Sequence, residues 1–138
     1  MQSRLNPYIS FKGNAREAME FYKTVFGGKL ELSTFEEGGM AANQAVPSQI
    51  MHAMLEAENG MTLMGADTPD GMDYTKGTDI SISLSGDNET ELTDYYNKLA
   101  EGGTIAEPLK KAPWGDTFGM LTDKFGIFWM VNIADPKQ

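Results

Sequence analysis

Apolar and polar positions change period several times along this chain, and each change marks an element. Leu5–Phe11 sets Leu5, Ile9 and Phe11 against Asn6, Tyr8 and Ser10, which predicts a half-buried strand. From Asn14 the period becomes helical, with Ala18, Phe21, Tyr22 and Val25 forming the inward stripe. Asn14 and Glu17 have the spacing of a capping box, and Gly27-Gly28 ends the helix. Strands are predicted over Lys29–Glu37, Gln49–Glu58 and Met61–Ala66, with Asn59-Gly60 as a hairpin turn whose two residues both tolerate positive φ.

The order then repeats. Asp79–Ser85 alternates Ile80, Ile82 and Leu84 with Asp79, Ser81, Ser83 and Ser85. Asn88–Glu101 is a second capped helix with Leu92, Tyr95, Tyr96 and Leu99 inward, stopped at Gly102-Gly103. Strands follow near Thr104–Leu109, Asp116–Thr122 and Ile127–Ile133; Pro108 and Pro113 predict that the first is short or at an edge. Long polar connections remain at Glu37–Ser48 and Asp67–Gly77.

The repetition extends to residue identity. Asn14–Tyr22 resembles Asn88–Tyr96, and Gly60–Met64 resembles Gly126–Met130. Two strand–helix–strand–strand–strand units give an α+β protein with eight strands and two helices. Its helices cover one face of mostly antiparallel sheet, and curling around a shared hollow would shelter the other face.

Composition narrows the class. The 138 residues include 11 basic and 20 acidic side chains, a net charge of −9, which argues against phosphate-backbone binding, so no nucleic-acid partner is expected. Cysteine is absent, so disulfides and thiolate chemistry are excluded. No apolar stretch approaches the ~20 residues of a membrane span. The first residues lack the apolar run of a signal peptide, so a cytoplasmic location is expected.

The motifs also resemble a known family. Pro7–Ala15 with Glu17-Ala18, Phe21-Tyr22 and Phe26–Gly28 is similar to the opening of PhnB-like proteins. Met51–Ala53, Leu63–Asp67, Trp114–Asp116 and Asp123–Asn132 continue the match across almost the whole chain. These proteins belong to the glyoxalase, bleomycin-resistance and dioxygenase superfamily, also called vicinal oxygen chelate. The resemblance implies one domain over 1–138, made of two βαβββ modules (about 1–67 and 78–138) that form a cupped eight-stranded sheet with helices outside. It also implies a homodimer.

Metal-using members of that superfamily carry four His, Glu or Gln ligands on the first and last strand of each module. The corresponding positions here are Asn6, Met64, Ser81 and Met130, and a one-residue slip at Ser81 brings in only Ile80 or Ile82. Two thioethers, an amide and a hydroxyl supply no charge for Zn, Ni, Mn or Fe. The expectation is therefore no metal and no cofactor. His52 is the only histidine and hence the only imidazole available for proton transfer; Glu56 and Asp116 are the accompanying carboxylates on strands or their edges. On its strand His52 shares a face with Ile50, Met54 and Glu56. Some PhnB-like relatives carry a methyltransferase label for a demethylated ubiquinone, but the Gly13-Asn14 corner is no Gly-rich nucleotide turn.

The same positions describe a soft pocket wall. Asn6, Tyr8, Ser10, His52, Thr62, Met64, Ser81, Ser83, Phe128, Met130 and Asn132 are expected to face the cup. Met40, Met72 and Met120, on or near loops, fit adaptable packing. Trp129 is expected in the core, and Trp114 over the cup or at a subunit contact. The leading expectation is a small organic ligand bound in a metal-free cup. The alternatives are a metal-dependent glyoxalase- or dioxygenase-type enzyme with displaced ligands, and an assembly protein whose cup methionines fill.

Overall fold

The two periods of the sequence become two βαβββ modules. A computed structural model describes residues 3–39 and 46–135; Met40 lies outside them. The chain divides into two compact units, Met1–Lys76 and Gly77–Gln138.

The first unit runs β1 (Tyr8–Phe11), α1 (Ala15–Phe26), β2 (Lys29–Thr34), β3 (Ile50–Glu56) and β4 (Thr62–Asp67). Its sheet has the order β1-β4-β3-β2, with β1 parallel to β4 and the other pairs antiparallel. The second unit runs β5 (Ile82–Gly86), α2 (Glu89–Ala100), β6 (Thr104–Lys111), β7 (Thr117–Thr122) and β8 (Phe128–Ile133), in the order β5-β8-β7-β6 with β5 parallel to β8. The fold is thus α+β, with eight strands among the described residues in two four-stranded mixed sheets and one helix on each. No helix among the described residues is long and apolar enough to cross a membrane.

Each helix lies on one face of its own sheet. In α1 the buried stripe is Ala15, Ala18, Met19, Tyr22, Val25 and Phe26. Met19 takes the place expected of Phe21, which is only half-buried. A Cβ on Gly65 of β4 would press on Met19 Sδ, which identifies the face that α1 covers; Ile9 and Ala53 stand in register with Gly65 on that face. In α2 the expected Leu92, Tyr95, Tyr96 and Leu99 are all buried. A Cβ on Gly119 would meet the Tyr96 ring, so Gly119, Val131 and Leu84, in register, line the α2 side.

The helix starts differ. Asn88 caps α2 as expected, accepting from Glu91 N at 3.0 Å. Asn14 makes no side-chain cap to α1. Asp67, from the far end of β4, does that work: Oδ1 accepts from Gly13 N at 2.8 Å and Ala15 N at 3.0 Å, and Oδ2 from Ile50 N at 2.9 Å. The carboxylate is 4% exposed. In the second unit Asp123, also buried, accepts from Phe125 N, Ile127 N and Trp129 Nε1.

Other differences from expectation have local causes. β1 begins at Tyr8 because Pro7 has no N–H to give, although its carbonyl still accepts from Met64 N. β2 stops at Thr34, where Thr34 and Glu37 exchange side-chain-to-backbone bonds and the chain turns. β6 is an edge strand as expected but eight residues long, with register shifts on both sides of Glu107 that accommodate Pro108. At the Asn59-Gly60 turn only Gly60 has positive φ. Gly60 N bonds Ala57 O and Ala57 N bonds Met61 O, a three-residue loop and not the two-residue turn expected. The second hairpin repeats that loop with Asp123, Gly126 and Ile127. Gly28 must be glycine for another reason: at φ 92° a Cβ would run into the Glu56 carbonyl of the neighbouring strand.

Asp67 supplies the first prediction. Asp67→Ala leaves two buried N–H groups and one part-buried one without their acceptor and should cost about 3 kcal/mol or more in urea unfolding. Asp67→Asn must turn an NH₂ toward one of those donors and should fall between wild type and alanine. A loss under about 1 kcal/mol for the alanine variant would contradict this role.

Candidate functional site

The faces opposite the helices carry the chemistry. On the first sheet Tyr8, Met64 and Met54 stand in one cross-strand row that continues to Glu31 on β2. His52 is one step along β3, opposite Ser33, and its ring lies 6.0 Å from that of Tyr8 at a 36° tilt. On the second sheet the corresponding row is Ser83, Met130 and Met120, continuing to Glu107 on β6. Met64 and Met130 differ by 66 positions in the chain, and so do Met54 and Met120. Each sheet therefore presents a half-buried cross-strand pair of methionines at its centre.

Several expected site residues are brought together. Tyr8, His52 and Met64 form one cluster on the first sheet. Phe128 and Met130 share the open face of β8, with Asn132 beyond them. Asn6 and Ser81 precede β1 and β5 and belong to neither strand; Asn6 is half-buried and Ser81 exposed. Ile50 departs from the expected alternation. Register shifts between Ser33 and Thr34, and Ile50 is buried at 1% exposure while His52 and Met54 remain half-buried. Met120 lies in the middle of β7 and not near a loop, whereas Met72 is an exposed loop residue. Trp129 is core, 1% exposed.

Three residues went unrecognised as parts of the wall: Met54, Met120 and Phe118. The offset of 66 between the hairpins would have found the first two, because Met54-Leu55 and Met120-Leu121 repeat at that spacing. Phe118 stands opposite Asn132 and meets Trp114 edge-on, with ring centroids 5.7 Å apart at 65°. Trp114, on the β6–β7 turn, is 56% exposed.

The electrostatics are mild. Partial burial pushes the Tyr8 phenol above its ordinary pKa, so it is a neutral donor near pH 7. Asp116 accepts from Asn132 Nδ2 and from Asp135 N, both at 2.9 Å. These bonds, the Asn132 amide foremost, hold its carboxyl below the usual carboxylate range. His52 has no carboxylate hydrogen-bonded to it among the described residues. An imidazole base with an orienting acid is therefore not assembled there.

Residues 4–131 match the Glyoxalase/Bleomycin resistance protein/Dioxygenase superfamily, and the chain belongs to that superfamily. It is similar to Protein YjdN of Escherichia coli strain K12, 26% identical over 141 residues that cover 94% of this chain and 95% of YjdN. Among solved structures, PA1353 from Pseudomonas aeruginosa is 38% identical with a TM-score of 0.84, covering 97% of this chain and 99% of its own. The PhnB protein from Bacillus cereus is 27% identical with a TM-score of 0.76, covering 96% and 100%.

The donor set does not fit the divalent ion that the resemblance to metal-using members would imply. Asn6, Met64, Ser81 and Met130 offer no carboxylate or imidazole, and Tyr8 and Ser83, the register partners of the two methionines, add only hydroxyls. No three His, Asp or Glu side chains among the described residues come together as a metal-binding group.

The Asp116 bond has a sign that can be read. A lowered folded pKa means that its stabilisation is complete above the unfolded value, about 3.9, and is lost as pH falls through the folded value below that. The Asn132 side-chain amide signals in NMR should titrate with a midpoint under about 3.9 and lose that step in Asp116→Asn. A midpoint at or above the ordinary value would contradict the assignment.

Proposed function

We propose that this protein binds a small organic ligand on the methionine- and aromatic-bearing open faces of its sheets, without a divalent metal. The carrying observation is the doubled methionine pair, Met54 with Met64 and Met120 with Met130, in which Met64 and Met130 occupy two of the four positions where the resemblance places the ligands of metal-using members. Thioethers are polarizable and adapt to aromatic rings, and Tyr8, His52, Ser83 and Asn132 beside them give a few directed polar contacts. Apolar walls with sparse polar groups are the ordinary make-up of small-molecule sites.

The corner before α1 supports the same reading from the other side. Its Gly13 and Ala15 N–H groups, which would face a phosphate in a nucleotide-binding turn, are taken by Asp67. A cytoplasmic homodimer belongs to the proposal; Leu5 and Ile80 are exposed apolar side chains that a second copy could cover.

Protein purified without chelator should contain no stoichiometric Zn, Ni, Mn or Fe by elemental analysis. In a thermal-shift screen, aromatic compounds should raise Tm by roughly 5–10 °C at a hundredfold excess over Kd. Met64→Glu or Met130→Glu should abolish the best shifts, since each would bury a charge against the ligand. Stoichiometric metal that is lost in Asn6 or Met64 variants would favour the metal enzyme. A broad library with no hit would favour the filled, assembly-type alternative.

A further inference from the structure

Asn132 is fixed in one orientation by its neighbour, which makes one atom of the second open face selective. Its Nδ2 donates to Asp116 Oδ2, while Asp116 Oδ1 accepts from Asp135 N. An ionised carboxylate only accepts, so the amide cannot turn over without setting its carbonyl oxygen against Asp116. Asn132 Oδ1 is left as an acceptor with no donor of its own among the described residues. Donation from Nδ2 to a carboxylate also polarises that carbonyl and strengthens it as an acceptor.

The cross-strand row that carries Asn132 holds an aromatic side chain. Phe118 is the register partner of Asn132 on one side, and Ser85 on the other. Trp114 meets the Phe118 ring edge-on and keeps more than half of its surface exposed. Lys110, opposite Phe118 on the edge strand, gives a cation no advantage in this row. What the row favours is a donor on a flat, uncharged body.

We propose that Asn132 Oδ1, held in place by Asp116, selects a planar aromatic ligand that carries an N–H donor and seats against Trp114 and Phe118. The inference rests on the ligand-binding reading above and narrows it to a chemical class. Asn132 is the residue that touches the ligand, and Asp116 is a positioning residue that acts through it.

Indole and benzofuran differ by one N–H at nearly constant shape and are both neutral, so they isolate the donor. Equilibrium dialysis of the full chain should show indole binding about fivefold more tightly than benzofuran. Asn132→Leu should bring the ratio to one while benzofuran binding persists; Asn132→Ala serves if leucine is not accommodated. Asp116→Asn, which frees the amide to turn, should lower the ratio toward one, an effect that a merely structural fastening would not have. Trp114→Ala, at an exposed site, should weaken both compounds and leave the ratio unchanged. A wild-type ratio near one, or a ratio that survives removal of the Asn132 amide, overturns the inference and leaves the wider ligand-binding reading intact. Failure of both compounds to bind also overturns it, whereas the wider reading falls only if the compound library gives no thermal shift.

Discussion

One buried carboxylate fastens the opening of the first module. Asp67 stands at the end of β4, yet its three acceptor contacts reach the β1–α1 corner and the first residue of β3. A parallel strand beside β4 and a helix leaving that strand at a sharp corner both expose N–H groups that no ladder can satisfy. The carboxylate supplies acceptors for them from the same point, so helix, parallel strand and third strand converge on one side chain. The placement of Tyr8 beside Met64 follows, because the β1–β4 register that sets it ends at the Phe11–Asp67 pair.

The second module solves its version of the problem elsewhere. Asp123 lies in the β7–β8 loop and closes that loop on itself while receiving the Trp129 indole. At the position matching Asp67 the second module has Ile133, and at the position matching Asp123 the first has Ala57. The α2 corner instead relies on Asn88, a local cap. Fold and methionine pairs are duplicated, but the polar fastenings are not.

Much of this was legible in the sequence because it is local. Element order, the four inward residues of α2, the edge position of β6 and the core place of Trp129 all follow from period, caps and proline chemistry. What was not legible depends on contacts between distant residues. Asn14 has every local mark of a cap, but the corner is fastened by Asp67, more than fifty residues away, which accepts from Gly13 N and Ala15 N on either side of it. The β-bulge that buries Ile50 arises from pairing with β2 and leaves no trace in alternation within β3. On the candidate site the sequence pointed to Met64 and Met130; the offset of 66 also repeats Met54 and Met120, but that these two lie directly across from the first pair is a matter of strand register. The link from Asp116 to Asn132 is of the same kind, a pairing across two strands that neither strand announces.

The confinement of each fastening to its own module also bears on how such chains can be recombined. The donors to the Asp67 carboxylate lie between Gly13 and Ile50, and Asp123 accepts from Phe125 N, Ile127 N and Trp129 Nε1 of its own hairpin. A crossover in the connection after Asp67 would carry each carboxylate along with its own donors. One between Ile50 and Asp67 would join a corner built around three N–H groups to a strand that lacks their acceptor. By these hydrogen bonds the module is the natural unit of exchange, since a cut in the connection after Asp67 parts neither carboxylate from the donors it accepts.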